Sequence, residues 1–86
     1  MSRLISFTPE GWKDYLYWQF QDKQTLKKIN QLLKECGRDP FIGSGKPEPL
    51  RHELSGTWSR RINGEDRLVY IVFDQEIRVM SCRYHY

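Results

Sequence analysis

Glu48 stands between two prolines in Gly45-Lys46-Pro47-Glu48-Pro49-Leu50. Each ring fixes its own φ and biases the residue before it toward extended backbone, so stiff flanks aim one carboxylate. Arginines follow at Arg60, Arg61 and Arg67, on either side of Asn63-Gly64, and the sequence closes on Cys82-Arg83-Tyr84-His85-Tyr86. A carboxylate can take a proton, an imidazole can give one, and guanidinium forks bind phosphate through paired hydrogen bonds. These are the groups needed to break a phosphodiester by acid/base chemistry. Taken singly, each has an ordinary reading: Glu48 as a solvated loop acid, His85 as an exposed terminal imidazole. The chemistry depends on the fold bringing them together.

Positioning falls first to the C-terminal segments. A terminus commonly frays. If residues 82–86 end a paired strand, they hold His85 beside cations at a sheet edge. Three strand-like runs, 57–62, 67–73 and 77–84 or beyond, are joined through Asn63-Gly64 and Asp74-Gln75-Glu76, and Asn-Gly is a strong hairpin signal. A two-residue Asn63-Gly64 loop sets Arg60 opposite Arg67, and a three-residue loop sets Arg61 opposite Arg67. Either places like charges face to face, which is unfavourable without an anion or acid between them. The neighbouring acids Glu65 and Asp66 offer one alternative partner. For the last hairpin, a three-residue loop pairs Phe73 with Ile77, Ile71 with Val79, Val69 with Ser81 and Arg67 with Arg83, so that His85 shares a face with Arg67. A two-residue loop brings Tyr84 and Tyr86 near Arg67 instead. The first is preferred because it gathers Ile71, Phe73, Ile77 and Val79 into one apolar patch.

The N-terminal half supplies a platform. Leu4, Ile5 and Phe7 read as a strand over residues 3–7. Thr8-Pro9-Glu10 gives an N-cap, a proline at the first helical position and an early acid. Trp12, Tyr15, Leu16 and Gln19 then recur at helical spacing. Asp22 caps a second helix with Leu26, Ile29, Leu32, Leu33 and Cys36 on one stripe, ending at Gly37. Lys23, Lys27, Lys28 and Lys34 fall mostly off that stripe and read as a solvated face. Residues 38–56 hold Pro40, Gly43, Gly45, Pro47, Pro49 and Gly56 and form a long loop, which Phe41, Ile42, Leu50 and Leu54 pin to the body. The fold expected is α+β: two helices on one face of a mainly antiparallel sheet, in a single domain over residues 1–86.

With 86 residues, a single core must lean on 3 Trp, 5 Tyr and 4 Phe, each burying more area than an aliphatic side chain. The 14 Lys and Arg against 11 Asp and Glu suit an anionic partner without demanding one. Cys36 and Cys82 lie far apart and read as free thiols of a cytoplasmic protein. No metal-ligand spacing, cofactor motif, signal peptide or membrane-spanning run is evident, so neither metal, cofactor nor membrane is expected.

Trp58-Ser59-Arg60-Arg61-Ile62, Arg67-Leu68-Val69-Tyr70, Arg83-Tyr84-His85-Tyr86, the Glu48 loop and Asp14-Tyr15-Leu16-Tyr17-Trp18 together resemble the YoeB-type toxins of bacterial toxin–antitoxin modules, within the RelE superfamily. The resemblance runs along almost the whole chain. It implies a RelE-like, microbial-ribonuclease-like fold and a metal-independent endoribonuclease that cuts messenger RNA in the ribosomal A site and so stops translation. It also implies a YefM-type antitoxin as partner, with a homodimer as a further option. Position by position, the resemblance puts the general base at Glu48, the phosphate-stabilising arginine at Arg67, the general acid at His85 and a functional tyrosine at Tyr86. Lys46, Arg51, Arg61 and Arg83 are the accompanying phosphate-contacting cations. Asp66 departs from the pattern, since members commonly carry histidine there, and an acid is expected to weaken the local positive potential. The competing readings are a non-catalytic toxin of the same fold, such as the gyrase-poisoning ParE type, and a general RNA-binding module. Small net charge disfavours the second, and an aimed base with a terminal acid disfavours the first.

Overall fold

The computed structural model describes residues 2–84. Strand β1 (Leu4–Phe7) leads into α1 (Pro9–Gln21) and α2 (Lys23–Arg38), and these are followed by β2 (Glu48–Pro49), β3 (Thr57–Arg61), β4 (Arg67–Val72) and β5 (Glu76–Ser81). The five strands form one sheet in the order β1-β5-β4-β3-β2, with β1 parallel to β5 and every other pair antiparallel. This is the α+β fold expected, with both helices packed on one face.

Local chemistry accounts for the helix boundaries. Thr8 Oγ1 accepts the Gly11 N–H (3.0 Å), with Pro9 in the first turn. Asp22 serves both helices. Its own N–H donates to Trp18 O (3.1 Å), closing α1, while its carboxylate accepts from Gln24 N (3.0 Å) and Thr25 N (3.2 Å), opening α2. These bonds, led by the Thr25 side chain, hold the Asp22 carboxyl below its ordinary pKa. Gly37 does not stop α2, which runs on to Arg38. Gly37 O instead accepts the Arg3 N–H (2.8 Å), tying the helix to β1.

The α2 stripe is buried as expected at Ile29, Leu32, Leu33 and Cys36, and it meets Leu68, Tyr70, Ile77 and Val79 of the sheet together with Ile62, Cys82 and Trp18. Alternation along β4 therefore sends Leu68 and Tyr70 toward the helices and Arg67, Val69 and Ile71 to the opposite, helix-free face. The expected apolar patch of Ile71, Phe73, Ile77 and Val79 does not form. Ile77 and Val79 pack under the helices, Ile71 lies on the other face, and Phe73 is exposed.

The reason is the register of the last hairpin. Val72 pairs with Ile77, Ile71 with Arg78 and Tyr70 with Val79, one step away from the preferred pairing, around a tighter turn closed by Phe73 N donating to Glu76 O (2.8 Å). A bulge then inserts Met80, and beyond it Val69 pairs with Ser81 as expected. Turn length and bulge offset one another. Nor is β5 an edge strand, because β1 and β4 flank it. β1 ends where Phe7 pairs with Val79, so Ser81 at the end of β5 pairs with β4 and not with β1.

Candidate active site on the helix-free face

The three-residue alternative holds at the Asn63-Gly64 turn. Ile62 N donates to Asp66 O (2.9 Å), and Arg61 pairs with Arg67. Glu48 pairs with Ser59, and Ser59 with Val69, so Glu48, Ser59, Arg61 and Arg67 all project from the helix-free face. Glu48 Oε1 and Arg67 Nη1 are 4.0 Å apart, with the glutamate side chain 58% exposed and the arginine 29%. The carboxylate thus lies beside the guanidinium but stays open to solvent. Arg61, exposed, adds a second positive charge across the ladder. Beneath them the Ser59 hydroxyl is buried and has no hydrogen-bond partner among the described residues.

Glu48 is aimed by its loop. Gly45 and Lys46 both take positive φ (85° and 51°), and Gly45 O accepts the Arg61 N–H (2.6 Å), docking the loop on β3 just before β2 begins. A two-residue strand that follows one proline and contains another suits this position, since β2 is the sheet's outer edge and has only one side to bond.

Arg60 faces the opposite way. Its side chain is fully buried and makes four hydrogen bonds: Nε to Tyr70 Oη (3.1 Å), Nη1 to Ser44 O (3.1 Å), and Nη2 to Asp39 O (2.7 Å) and Ile42 O (2.9 Å). Glu35 Oε1 lies 3.7 Å from Nη1. Arg60 therefore clamps the turn at residues 39–44 and is not available to a phosphate. This corrects the expected pinning of the loop by apolar anchors. Ile42 and Leu54 are about 70% exposed, and Phe41 only leans on Trp58 (ring centroids 4.9 Å). Burial pushes the Tyr70 phenol far up and the Cys36 thiol to about 11, so both stay neutral around this cation.

The other expected cations are dispersed. Lys46 and Arg51 are exposed on either side of Glu48 in the chain. Arg83 does not join Arg67, because its guanidinium stacks 3.5 Å from the Tyr17 ring centroid, against α1, and 4.5 Å from that of Tyr84. His85 and Tyr86 lie outside the described residues, but the backbone leading to them is tightly held. Asp14 accepts the Cys82 N–H (3.1 Å), Trp18 Nε1 donates to Cys82 O (2.8 Å), and Arg67 N donates to Tyr84 O (3.1 Å). Asp66, expected to dilute the positive field, is itself buried, and its Oδ1 accepts the Tyr84 N–H (2.7 Å). The sequence does not announce that Asp14 and Asp66 hold this segment by accepting the Cys82 and Tyr84 N–H groups. A polar residue on an otherwise apolar helix face is the only sequence signal for the former.

A two-helix platform under a sheet of this strand order, with a charged helix-free face, is a fold shared with solved structures of RelBE-type toxin–antitoxin complexes. At 23% identity, the RelBE2 toxin–antitoxin complex of Mycobacterium tuberculosis shares the fold with a TM-score of 0.74, covering 99% of this chain and 100% of the matched one. Residues 7–86 match the sequence model described as YoeB-like toxin of bacterial type II toxin-antitoxin system. Toxin YoeB of Escherichia coli K12 is 59% identical over 82 residues, covering 95% of this chain and 98% of that one, and Toxin RelK of M. tuberculosis is 51% identical over 84 residues, covering 98% and 99%. The YoeB dimer from Staphylococcus aureus superimposes with a TM-score of 0.91 at 49% identity, covering both chains fully. The heterotetrameric YoeB-YefM complex from the same organism matches at 0.87 and 49%, again over 100% of each chain. The chain belongs to the YoeB-like toxin family of bacterial type II toxin–antitoxin systems.

Proposed function

We propose that this toxin is a ribosome-dependent endoribonuclease that cuts messenger RNA with its own side chains as base, acid and charge stabiliser. The observation that carries the reading is the approach of Glu48 to Arg67 on the open face, with Arg61 across the ladder. Glu48 takes the proton of a ribose 2′-hydroxyl, and the freed oxygen attacks the adjacent phosphorus. Arg67 neutralises charge gathering on the phosphorane, and a second electrostatic contribution comes from Arg61. His85 protonates the departing 5′-oxygen, leaving a 2′,3′-cyclic phosphate on the upstream fragment. Tyr86 stacks on a base or orients His85. The resting Glu48–Arg67 contact, at 4.0 Å, is longer than a hydrogen bond and open to solvent, so the two side chains can part to admit a phosphate. Ribosomal binding supplies the remaining alignment of the message, which a shallow open face does not provide by itself.

As partners, the reading names a YefM-type antitoxin, which folds part of its chain over the toxin, and a second toxin copy, following the complexes and dimer formed by the S. aureus relative. The test is primer extension on message bound to ribosomes, with Glu48→Ala, Arg67→Lys and His85→Ala compared at equal folded concentration. Loss of a general base or acid lowers the rate by about 10²- to 10⁴-fold, and Arg67→Lys is also impaired because an ammonium lacks the fork. Wild-type cutting by both Glu48→Ala and His85→Ala overturns the reading. Arrest of growth with DNA damage and intact message would point to the gyrase-poison class.

A further inference from the structure

Asp66 is exposed by only 7%, yet it carries a carboxylate next to the site arginine Arg67. Every atom of it is committed. Its N–H donates to Asn63 Oδ1 (2.8 Å), its carbonyl accepts from Ile62 N (2.9 Å), Oδ2 accepts from Asn63 Nδ2 (3.1 Å), and Oδ1 takes the Tyr84 N–H (2.7 Å). The turn thus immobilises Asp66, and Asp66 in turn immobilises Tyr84. That hold meets a strained backbone. Tyr84 has φ +66°, a left-handed conformation that a bulky residue adopts only when its surroundings impose it. Among the described residues, the carboxylate on its N–H and Arg67 N–H on its carbonyl (3.1 Å) hold it. Regular pairing of β5 has ended at Ser81, so the ladder does not supply this restraint.

We propose that Asp66 is a positioning residue for the chain's reactive end: by holding Tyr84 left-handed against β4, its carboxylate fixes the backbone immediately before His85. The role rests on the functional reading above, in which His85 is the general acid. Asp66 touches no reacting atom and acts through Tyr84. The charge of Asp66 is thereby spent on Tyr84 and Asn63 rather than on the open face.

The experiment is a double-mutant cycle read as single-turnover cleavage of ribosome-bound message, with Asp66→Ala and Asp66→Ser each made alone and on a His85→Gln background. Serine keeps a polar group at the turn but falls one bond short of Tyr84. It serves where the alanine variant fails to fold, as judged by thermal unfolding. Misplacing a reactive group by about 1 Å costs on the order of 100-fold, so either variant should lose about 10- to 100-fold in kcat with KM little changed, and close to nothing further once His85 is gone. Asp66→Asn keeps an acceptor for Tyr84 but turns a donor toward Asn63 Nδ2, so it should recover only part of the rate lost in the alanine variant. Deep loss by His85→Gln together with the same Asp66 penalty in both backgrounds overturns this proposal alone. Wild-type cutting by His85→Gln overturns both it and the assignment of His85.

Discussion

Replacing Arg60 by methionine isolates the clamp from the chemistry, because the apolar stem keeps its place while the guanidinium and its donors disappear. Four hydrogen bonds and the 3.7 Å approach to Glu35 are lost together. Bonds to a charged donor are worth about 1.5–3 kcal/mol each, but the three loop carbonyls can turn to water once the 39–44 turn lifts, so their simple sum is too large. Glu35 is not stranded either: its Oε1 keeps the Ser44 N–H (2.8 Å), the bond that chiefly lowers its pKa, and the side chain is 28% exposed. Breaking a buried charged network by removing one member costs about 3–5 kcal/mol, and that range applies here. A small domain holds about 5–15 kcal/mol in all. With a change of about 4–8 °C per kcal/mol at this size, a loss of about 3–5 kcal/mol should lower Tm by roughly 12–40 °C. Urea unfolding followed by tryptophan fluorescence and circular dichroism measures it directly. A loss below about 1 kcal/mol, smaller than a single such bond, would refute the view that Arg60 holds the loop carrying Glu48. Arg67→Lys is the counterpart, expected to leave Tm nearly unchanged while cleavage drops.

Gly11→Ala places a methyl group onto Val79 O, the carbonyl that also accepts the Thr8 N–H, so α1 must shift off β5. Overpacking of this kind costs about 1–3 kcal/mol, with the upper end expected against backbone, and this outweighs the roughly 1 kcal/mol alanine gains over glycine in a helix. A melting temperature equal to or above wild type would contradict the close approach. Burial raises the Asp14 pKa, partly countered by the Cys82 N–H. A carboxyl with a raised folded pKa favours folding while protonated, below its unfolded value of about 4, and loses that contribution as pH climbs through the folded value. Asp14→Asn keeps an acceptor for Cys82, so its stability relative to wild type should improve from pH 3.5 to 7, and the opposite trend in paired thermal melts would reject the assignment. Burial pushes the Cys36 and Cys82 thiols to about 11 and about 12. Both should resist iodoacetamide at pH 8 in the folded protein and react once urea unfolds it, with mass spectrometry scoring the adducts.

Local signals read true wherever the physics is local. Thr8-Pro9, Asp22 and the apolar stripe of α2 specify their helices through caps and periodicity that need no distant partner. Asn63-Gly64 likewise marks its hairpin, and the double-proline loop marks Glu48 as an aimed carboxylate. What failed was pairing at a distance. The last turn is tighter than expected and a bulge at Met80 compensates, so the pattern of faces near the turn was misread while Val69 and Ser81 still meet.

From sequence alone, the candidate groups can be named: an acid between two prolines, a set of arginines and the His85 imidazole, on a two-helix α+β scaffold. Only the tertiary structure separates arginines that look alike. Arg60 and Arg61 are adjacent, yet strand alternation turns one into a buried clamp and leaves the other on the open face opposite Arg67. Arg83 is diverted to Tyr17, and Asp66, a turn acid by sequence, becomes the acceptor for Tyr84. The physical reason is that a side chain's role follows from its face and its register, and both are decided by how strands pair across the sheet rather than by the residues along any one of them.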